Sequence, residues 1–241
     1  MSGASGQASV PVRDDEAIVL IPEGRDPRSR LIAALAAEIR ARAGYQGMTS
    51  EKVCAQAKAS KKTFYKHFDD IGSLFLAMYE VYSQHMLAHV TAAVDPDSPA
   101  HKQAEQALMA WVDAVYSDPQ VALAVFRELP ALGPEAHDAQ RTVLLEFASS
   151  LLSMLRRDRD ARPVGLFESV FLLGGVREAA IYALDSGTPQ QDMRESMASL
   201  ISGLVDAETC PNTPTVPGWH HVLVPAHLME QLLREGIPAQ P

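Results

Sequence analysis

The run Ala57-Lys58-Ala59-Ser60-Lys61-Lys62-Thr63-Phe64-Tyr65-Lys66-His67-Phe68 opens on a turn and continues as a short amphipathic helix. Ser60 can accept a hydrogen bond from a first-turn amide, so the helix starts just after it. Phe64 and Phe68 stand four apart and share one face, which must turn inward. Lys62, Tyr65 and Lys66 then fall on the opposite face, flanked by Lys61, Thr63 and His67. Upstream, Thr49 or Ser50 caps a helix that buries Val53, Cys54 and Ala57, and Lys58 and Ala59 supply the tight turn between the two. Earlier still, a helix from Pro27 to Ala43 sets Ile32, Leu35, Ala36 and Ile39 on one face, with Gly44 ending it. Three short helices in about 45 residues, the last two joined tightly, form a helix-turn-helix.

The outward face has the chemistry of a polyanion contact. Lysines neutralise phosphates, while Thr, Tyr and Lys reach base edges or sugar–phosphate from a groove. The helix starts at Thr49 and Ser60 offer backbone N–H groups that suit phosphate oxygens. A merely solvated basic helix is the alternative reading of the same charges. The net charge of −9 argues against a nucleic-acid binder only as an average. Residues 25–68 hold ten Lys or Arg against Asp26, Glu38 and Glu51, so this segment carries +7 and the remainder −16. A basic unit is joined to an acidic body.

Gly44-Tyr45, then Met48-Thr49-Ser50-Glu51-Lys52-Val53-Cys54, then the run 57–68, then Leu74, resembles the DNA-binding domain of the TetR family of transcriptional regulators. The resemblance spans roughly residues 28–75; later helices match only in number, length and order. It implies an all-α fold, with an N-terminal three-helix helix-turn-helix DNA-binding domain and a C-terminal helical ligand-binding and dimerisation domain. It further implies a homodimer on a near-palindromic double-stranded DNA operator, acting as a repressor released by a small effector. The expected DNA-binding residues are Thr49, Lys58, Ser60, Lys61, Lys62, Thr63, Tyr65, Lys66 and His67. This chain departs from the family pattern at four positions. Lys58 and Lys62 stand where glycine is usual, and the first lies at a turn that often needs a positive φ. Arg40 replaces a common apolar residue, and Ile71 stands where a phosphate-binding lysine is common.

The sequence divides into an N-terminal arm (1–26), the helix-turn-helix (27–70), a helical body (71–208) and a proline-rich tail with a short helix (209–241). The arm holds a short extended piece at Ile18–Ile21. Body helices are expected from Asp69 or Asp70 to about Val94, then near 100–117, 119–129, 134–158, 163–186 and 189–207. The 163–186 helix is apolar on more than one side, and the 189–207 helix carries one apolar stripe. From these, Phe167, Val170, Phe171, Gly174, Met197, Leu200, Ile201 and Leu204 are read as a four-helix dimer interface. Intramolecular core is the alternative. Tyr82, Met86, Met109, Trp111, Phe126, Phe147, Met154, Phe171 and Tyr182 are read as lining an effector pocket, with Tyr116 and Arg127 as nearby polar partners. Bulky apolar and aromatic walls suit an apolar or aromatic effector.

Other classes find little support. The 241 residues, 47% hydrophobic and 21% charged, describe an ordinary globular chain of one or two domains. Cys54 and Cys210 are too few for a disulfide framework. The start lacks the pattern of a signal peptide, and Glu168, Arg177 and Glu178 interrupt the least polar stretch, so the expectation is a cytoplasmic protein without a membrane span. No nucleotide loop, HExxH or nucleophile–base pair suggests an enzyme or a cofactor. His85 and His89 stand four apart without a third ligand, and His220-His221 lies in a loop, so no metal site is expected. The remaining alternative is an α-helical interaction protein whose helix-turn-helix no longer binds DNA.

Overall fold

The computed structural model describes residues 18–155 and 166–205, and among them every regular element is helical. They are α1 (Pro27–Arg42), α2 (Ser50–Gln56), α3 (Lys61–His67), α4 (Ile71–Ala93), α5 (Ala100–Ser117), α6 (Pro119–Leu123), α7 (Pro134–Leu155), α8 (Leu166–Ser186) and α9 (Gln190–Val205). Most of the expected arm and the whole proline-rich tail lie outside the described residues. No helix among the described residues is long and apolar enough to cross a membrane.

Helix starts follow local chemistry. Asp26 caps α1 by accepting from the amides of Arg28 (2.9 Å) and Ser29 (3.1 Å). Thr49, rather than Ser50, caps α2, and Ser60 caps α3. Asp70 and Ser73 exchange side-chain and backbone hydrogen bonds in a capping box that opens α4. That helix has 23 residues and runs roughly 35 Å, long enough to belong to both halves of the molecule.

The core is one continuous apolar cluster. In the N-terminal head, Leu31, Leu35, Ile39, Val53, Phe64 and Leu74 are fully shut off from solvent. Beyond it, α5 packs between α4 and α9, while α7 lies against α8. Val112, Val115, Val121 and Leu129 fill this second layer.

Three local expectations change. The helix expected near 119–129 is broken into α6, a π-helical turn (Ala124–Glu128) and a 3₁₀ turn (Leu129–Leu132). Pro130 has no N–H to return to the preceding turn. Gln140 instead donates to the carbonyl of Val125 at 3.3 Å. The residue that ends α1 in the left-handed region is Ala43 (φ 56°), not Gly44. Finally, Ile18–Ile21 is not a free extended piece: the chain bends there, and Leu20 and Ile21 are buried in the core cluster.

Candidate nucleic-acid interface and ligand cavity

In α3, Phe64 and Phe68 are buried, while Lys61, Lys62, Tyr65 and Lys66 are exposed, with Thr63 and His67 half-buried at the margins. Tyr65 is 58% exposed although its ring packs edge-on against Phe64 at 5.2 Å. An aromatic held on its inner edge and free on its outer one is already oriented for contact. On the opposite side of the phenylalanine pair, the Arg28 guanidinium sits 5.6 Å over the Phe68 ring.

Not every residue expected on this face is free. Lys61 pairs with Glu51 across α2 and α3, and that hydrogen bond pulls the Glu51 carboxyl down to about 2. The hydroxyl of Ser60 accepts from the amide of Thr63 at 3.0 Å, and Thr49 accepts from that of Lys52 at 3.4 Å. Each cap thereby occupies one of the first-turn amides expected to face a phosphate. Lys58 adopts φ 50°, the left-handed conformation that glycine serves at this turn. The turn closes nonetheless, with the Ala59 amide donating to Cys54 at 2.9 Å. Ile71 is half-buried and packs against the core.

Head and body are joined by two polar contacts that sequence reading missed. Arg40 donates to one carboxylate oxygen of Asp118 through both Nε (2.9 Å) and Nη2 (2.7 Å). An arginine in place of an apolar residue on α1 thus has a partner at the α5–α6 junction. Glu128, at the end of the π-helical turn, accepts from the amides of Tyr45 (2.8 Å) and Gln46 (3.0 Å), one on each oxygen. Gly44 leaves room for this approach: a Cβ there would stand 3.1 Å from a Glu128 oxygen, close enough that the carboxylate would have to shift slightly. Tyr45 stacks on Phe75 with ring centroids 4.2 Å apart. Burial first, then the charges of Asp70 and Glu128, pushes its phenol up to about 12. Gly44-Tyr45 is therefore the socket for a body residue more than 80 positions away.

Behind these contacts lies a cavity of about 560 Å³ enclosed by α4, α5, the π-helical turn, α7 and α8. Tyr82, Met86, Trp111, Phe126 and Phe147 of the expected lining stand on its wall, and Trp111 stacks on Phe126 at 6.1 Å. Three other residues do not fit that reading. Phe171 and Tyr182 are 71% and 75% exposed, because their face of α8 points away from the core that Val176, Ala180 and Ala183 enter. Met109 packs against the core without reaching the cavity wall. The Met154 side chain lies outside the described residues. The expected polar neighbours are engaged elsewhere: Arg127 with Asp185, and Tyr116 with the carbonyl of Thr188 at 3.1 Å. Three polar wall residues that the sequence did not single out are Gln103, Gln140 and Arg177.

Of the expected dimer residues, Phe171 and Leu200 are exposed and Val170 and Gly174 half-buried. Met197 is a correction: it is buried within this subunit's own core, on the helix that packs against α5. The side chains of Phe167, Ile201 and Leu204 lie outside the described residues. Among the described residues, no group of three or more His, Cys, Asp or Glu converges as metal ligands do.

Residues 32–78 match the family profile for bacterial regulatory proteins of the tetR family. No curated protein is significantly similar in sequence. Solved structures are similar in fold. A tetR-family bacterial regulatory protein from Rhodococcus RHA1 is 20% identical (TM-score 0.58), over 76% of this chain and 98% of its own. A TetR-family transcriptional regulator from Streptomyces coelicolor is 20% identical (TM-score 0.61), over 75% of this chain and 89% of its own. A transcriptional regulator FadR from Bacillus subtilis, solved in complex with stearoyl-CoA, is 14% identical (TM-score 0.62), over 73% of this chain and 97% of its own.

Proposed function

With residues 32–78 matching the profile of the tetR family of bacterial regulatory proteins, we propose that this chain is a ligand-responsive repressor that binds a near-palindromic operator as a homodimer. The observation that carries the coupling is the segment from Asp118 to Glu128. Its middle, Val125 and Phe126, walls the cavity, and its two ends hold the head through Arg40 and through the Tyr45 and Gln46 amides. An effector in the cavity displaces that segment and with it the head. Two heads tuned to successive major grooves, about 34–36 Å apart, then lose register.

Recognition falls to Lys62, Tyr65 and Lys66, with Thr63 and His67 at the edge of the face and Lys58, Thr49 and Ser60 beside it. Lys61 contributes less, because Glu51 already neutralises it. For the second copy, the support is the outer face of α8, where Phe171, Gly175 and Tyr182 form an exposed stripe at helical spacing. Two such faces meeting about a twofold axis would bury it.

Selection of bound duplexes from a random library, followed by anisotropy titration of the selected duplex at several salt concentrations, tests the reading. A steep salt slope with a preferred palindrome is expected. Binding that neither depends on salt nor prefers any sequence would leave the chain as a helical interaction protein instead. Phe171→Glu is expected to give monomers by sedimentation, with much weaker operator binding. By linkage, any effector that releases DNA must bind less tightly, by the same factor, when operator is present.

A further inference from the structure

We propose that the cavity takes an elongated or flat apolar molecule ending in a carbonyl or carboxylate oxygen, and that Tyr82 and Arg177 receive this oxygen. The inference rests on the proposed effector site and specifies what that effector must carry. It follows from an inventory of the polar atoms in an otherwise apolar wall. The Gln103 amide is spent on the carbonyls of Pro96 (3.1 Å) and Ser98 (2.6 Å). Gln140 is spent on Val125, and Tyr79 bonds with Ser83. Two buried polar atoms remain without a partner, and they are the Tyr82 hydroxyl and the Arg177 Nε. Both belong to residues of the cavity wall.

A buried hydroxyl without a partner is costly relative to one that is hydrogen-bonded, so such groups are rare unless something else satisfies them. Both orphans are donors. Arg177 has no acceptor atom, and burial drives the Tyr82 phenol far above its ordinary range, so it keeps its proton. They lie on α4 and α8, both line the same cavity, and Tyr79 interacts electrostatically with each of them. Two unpartnered donors on the wall of one cavity, one of them on a cation, call for an oxygen acceptor and disfavour an ammonium. The outer end of Arg177 stays anchored, with Nη2 donating to Glu178 at 2.9 Å. The ligand oxygen therefore meets a guanidinium already held in place. The rest of the wall is mostly apolar, with Ser83, Thr91, Ser150 and Ser153 adding small hydroxyls.

The test uses the full chain and three probes of one chain length: decanoate, methyl decanoate and n-decylamine. Binding is read by quenching of tryptophan fluorescence, since Trp111 stands on the wall, and by thermal shift. Decanoate and its methyl ester are expected to bind at least tenfold tighter than the amine. Tyr82→Phe is expected to weaken both oxygen-bearing probes about tenfold, and Arg177→Met to weaken decanoate more than the ester. The unliganded Tyr82→Phe protein is expected to melt at or above the wild-type temperature, because a ring without an orphaned hydroxyl replaces one with it.

A clear drop in that melting temperature would mean the hydroxyl already has a partner, and would overturn the proposal. So would equal binding of amine and acid, an unchanged decanoate affinity in Tyr82→Phe, or no binding by any probe at millimolar concentration. Operator affinity of the unliganded variants, measured in parallel, separates this failure from failure of the regulator reading. Intact DNA binding with the wrong head-group preference sinks only the assignment made here.

Discussion

The head and the body treat their interiors in opposite ways. In α1 to α3, Leu31, Leu35, Ala36, Ile39, Val53 and Phe64 are completely enclosed, and each helix start has its polar cap. The body surrounds about 560 Å³ of space and leaves two polar atoms on its wall unpartnered. A reading head must present one arrangement of side chains to a rigid duplex, so close packing serves it. A cavity whose walls have unmet contacts can exist in two arrangements of similar free energy, which a switch requires. The Asp118–Glu128 segment belongs to both regions, and its π-helical turn marks the place where the two regimes meet.

The contrast breaks most visibly in the core. Phe64→Ala removes a fully buried ring from a filled interior and is expected to cost about 3–5 kcal/mol by urea unfolding, with loss of DNA binding. Phe147→Ala removes a ring that already borders empty space, so fewer contacts are lost and the cost is expected to be about half as large. Equal losses at the two sites would mean that the cavity wall is packed as tightly as the head.

The junction comes next. Glu128→Ala leaves the amides of Tyr45 and Gln46 without acceptors, and the first of these is partly buried. A loss of about 1–3 kcal/mol is expected. Arg40→Ala removes an ion pair whose arginine is partly exposed, and about 1 kcal/mol is expected. The sharper comparison is functional. Glu128→Ala should reduce the factor by which an effector changes operator affinity, measured by titrating one against the other. An unchanged factor would place the coupling in α4 alone.

The reading face is expected to respond without any change in fold. Lys62→Ala and Tyr65→Ala should each weaken specific operator binding, by about 1–3 kcal/mol of discrimination where the lost contact is to a base edge. A residue that touches only phosphate would instead weaken all duplexes alike and lower the salt slope by about one. Unchanged affinity in both variants at moderate salt would mean that α3 presents another face.

What could be read from residues alone follows the same division. Caps act within three positions and the phenylalanine pair within four, so the head's helices, its turn and its exposed lysines were legible. The body depends on which of several apolar faces meets which neighbour. Phe171 and Met197 look equally apolar in sequence, yet one is exposed and the other enters the core, and only the packing of α8 and α9 decides between them. Glu128 had no local signal at all. Gly44 reads locally as a helix terminator, although Ala43 performs that role and the glycine lies where a Cβ would crowd the Glu128 carboxylate.

The smallest effect is expected at the turn between α2 and α3, one of two places in the head, with Ala43, where a non-glycine residue takes a positive φ. Lys58 holds φ 50°, a region where a residue with a Cβ is strained by about 1 kcal/mol or more. Its amide donates to Ala55 at 3.2 Å, so the turn geometry is closed and a glycine can adopt it unchanged. Lys58→Gly relieves the strain but also gives the unfolded chain more freedom, which offsets part of the gain. The net is an expected rise of up to about 1 kcal/mol in unfolding free energy, read as a higher urea midpoint with an unchanged slope. The same variant deletes an exposed cation beside the reading face. If that cation meets a phosphate, the more stable protein binds every duplex less tightly and with a shallower salt dependence. Stability and affinity would then move in opposite directions, and strain at this turn would be retained for the sake of the contact. A variant that is more stable and binds equally well would show that Lys58 makes no such contact. A variant that loses stability would show that the side chain packs in a way that outweighs its backbone strain, and the head would be less uniformly relaxed than the comparison with the body implies.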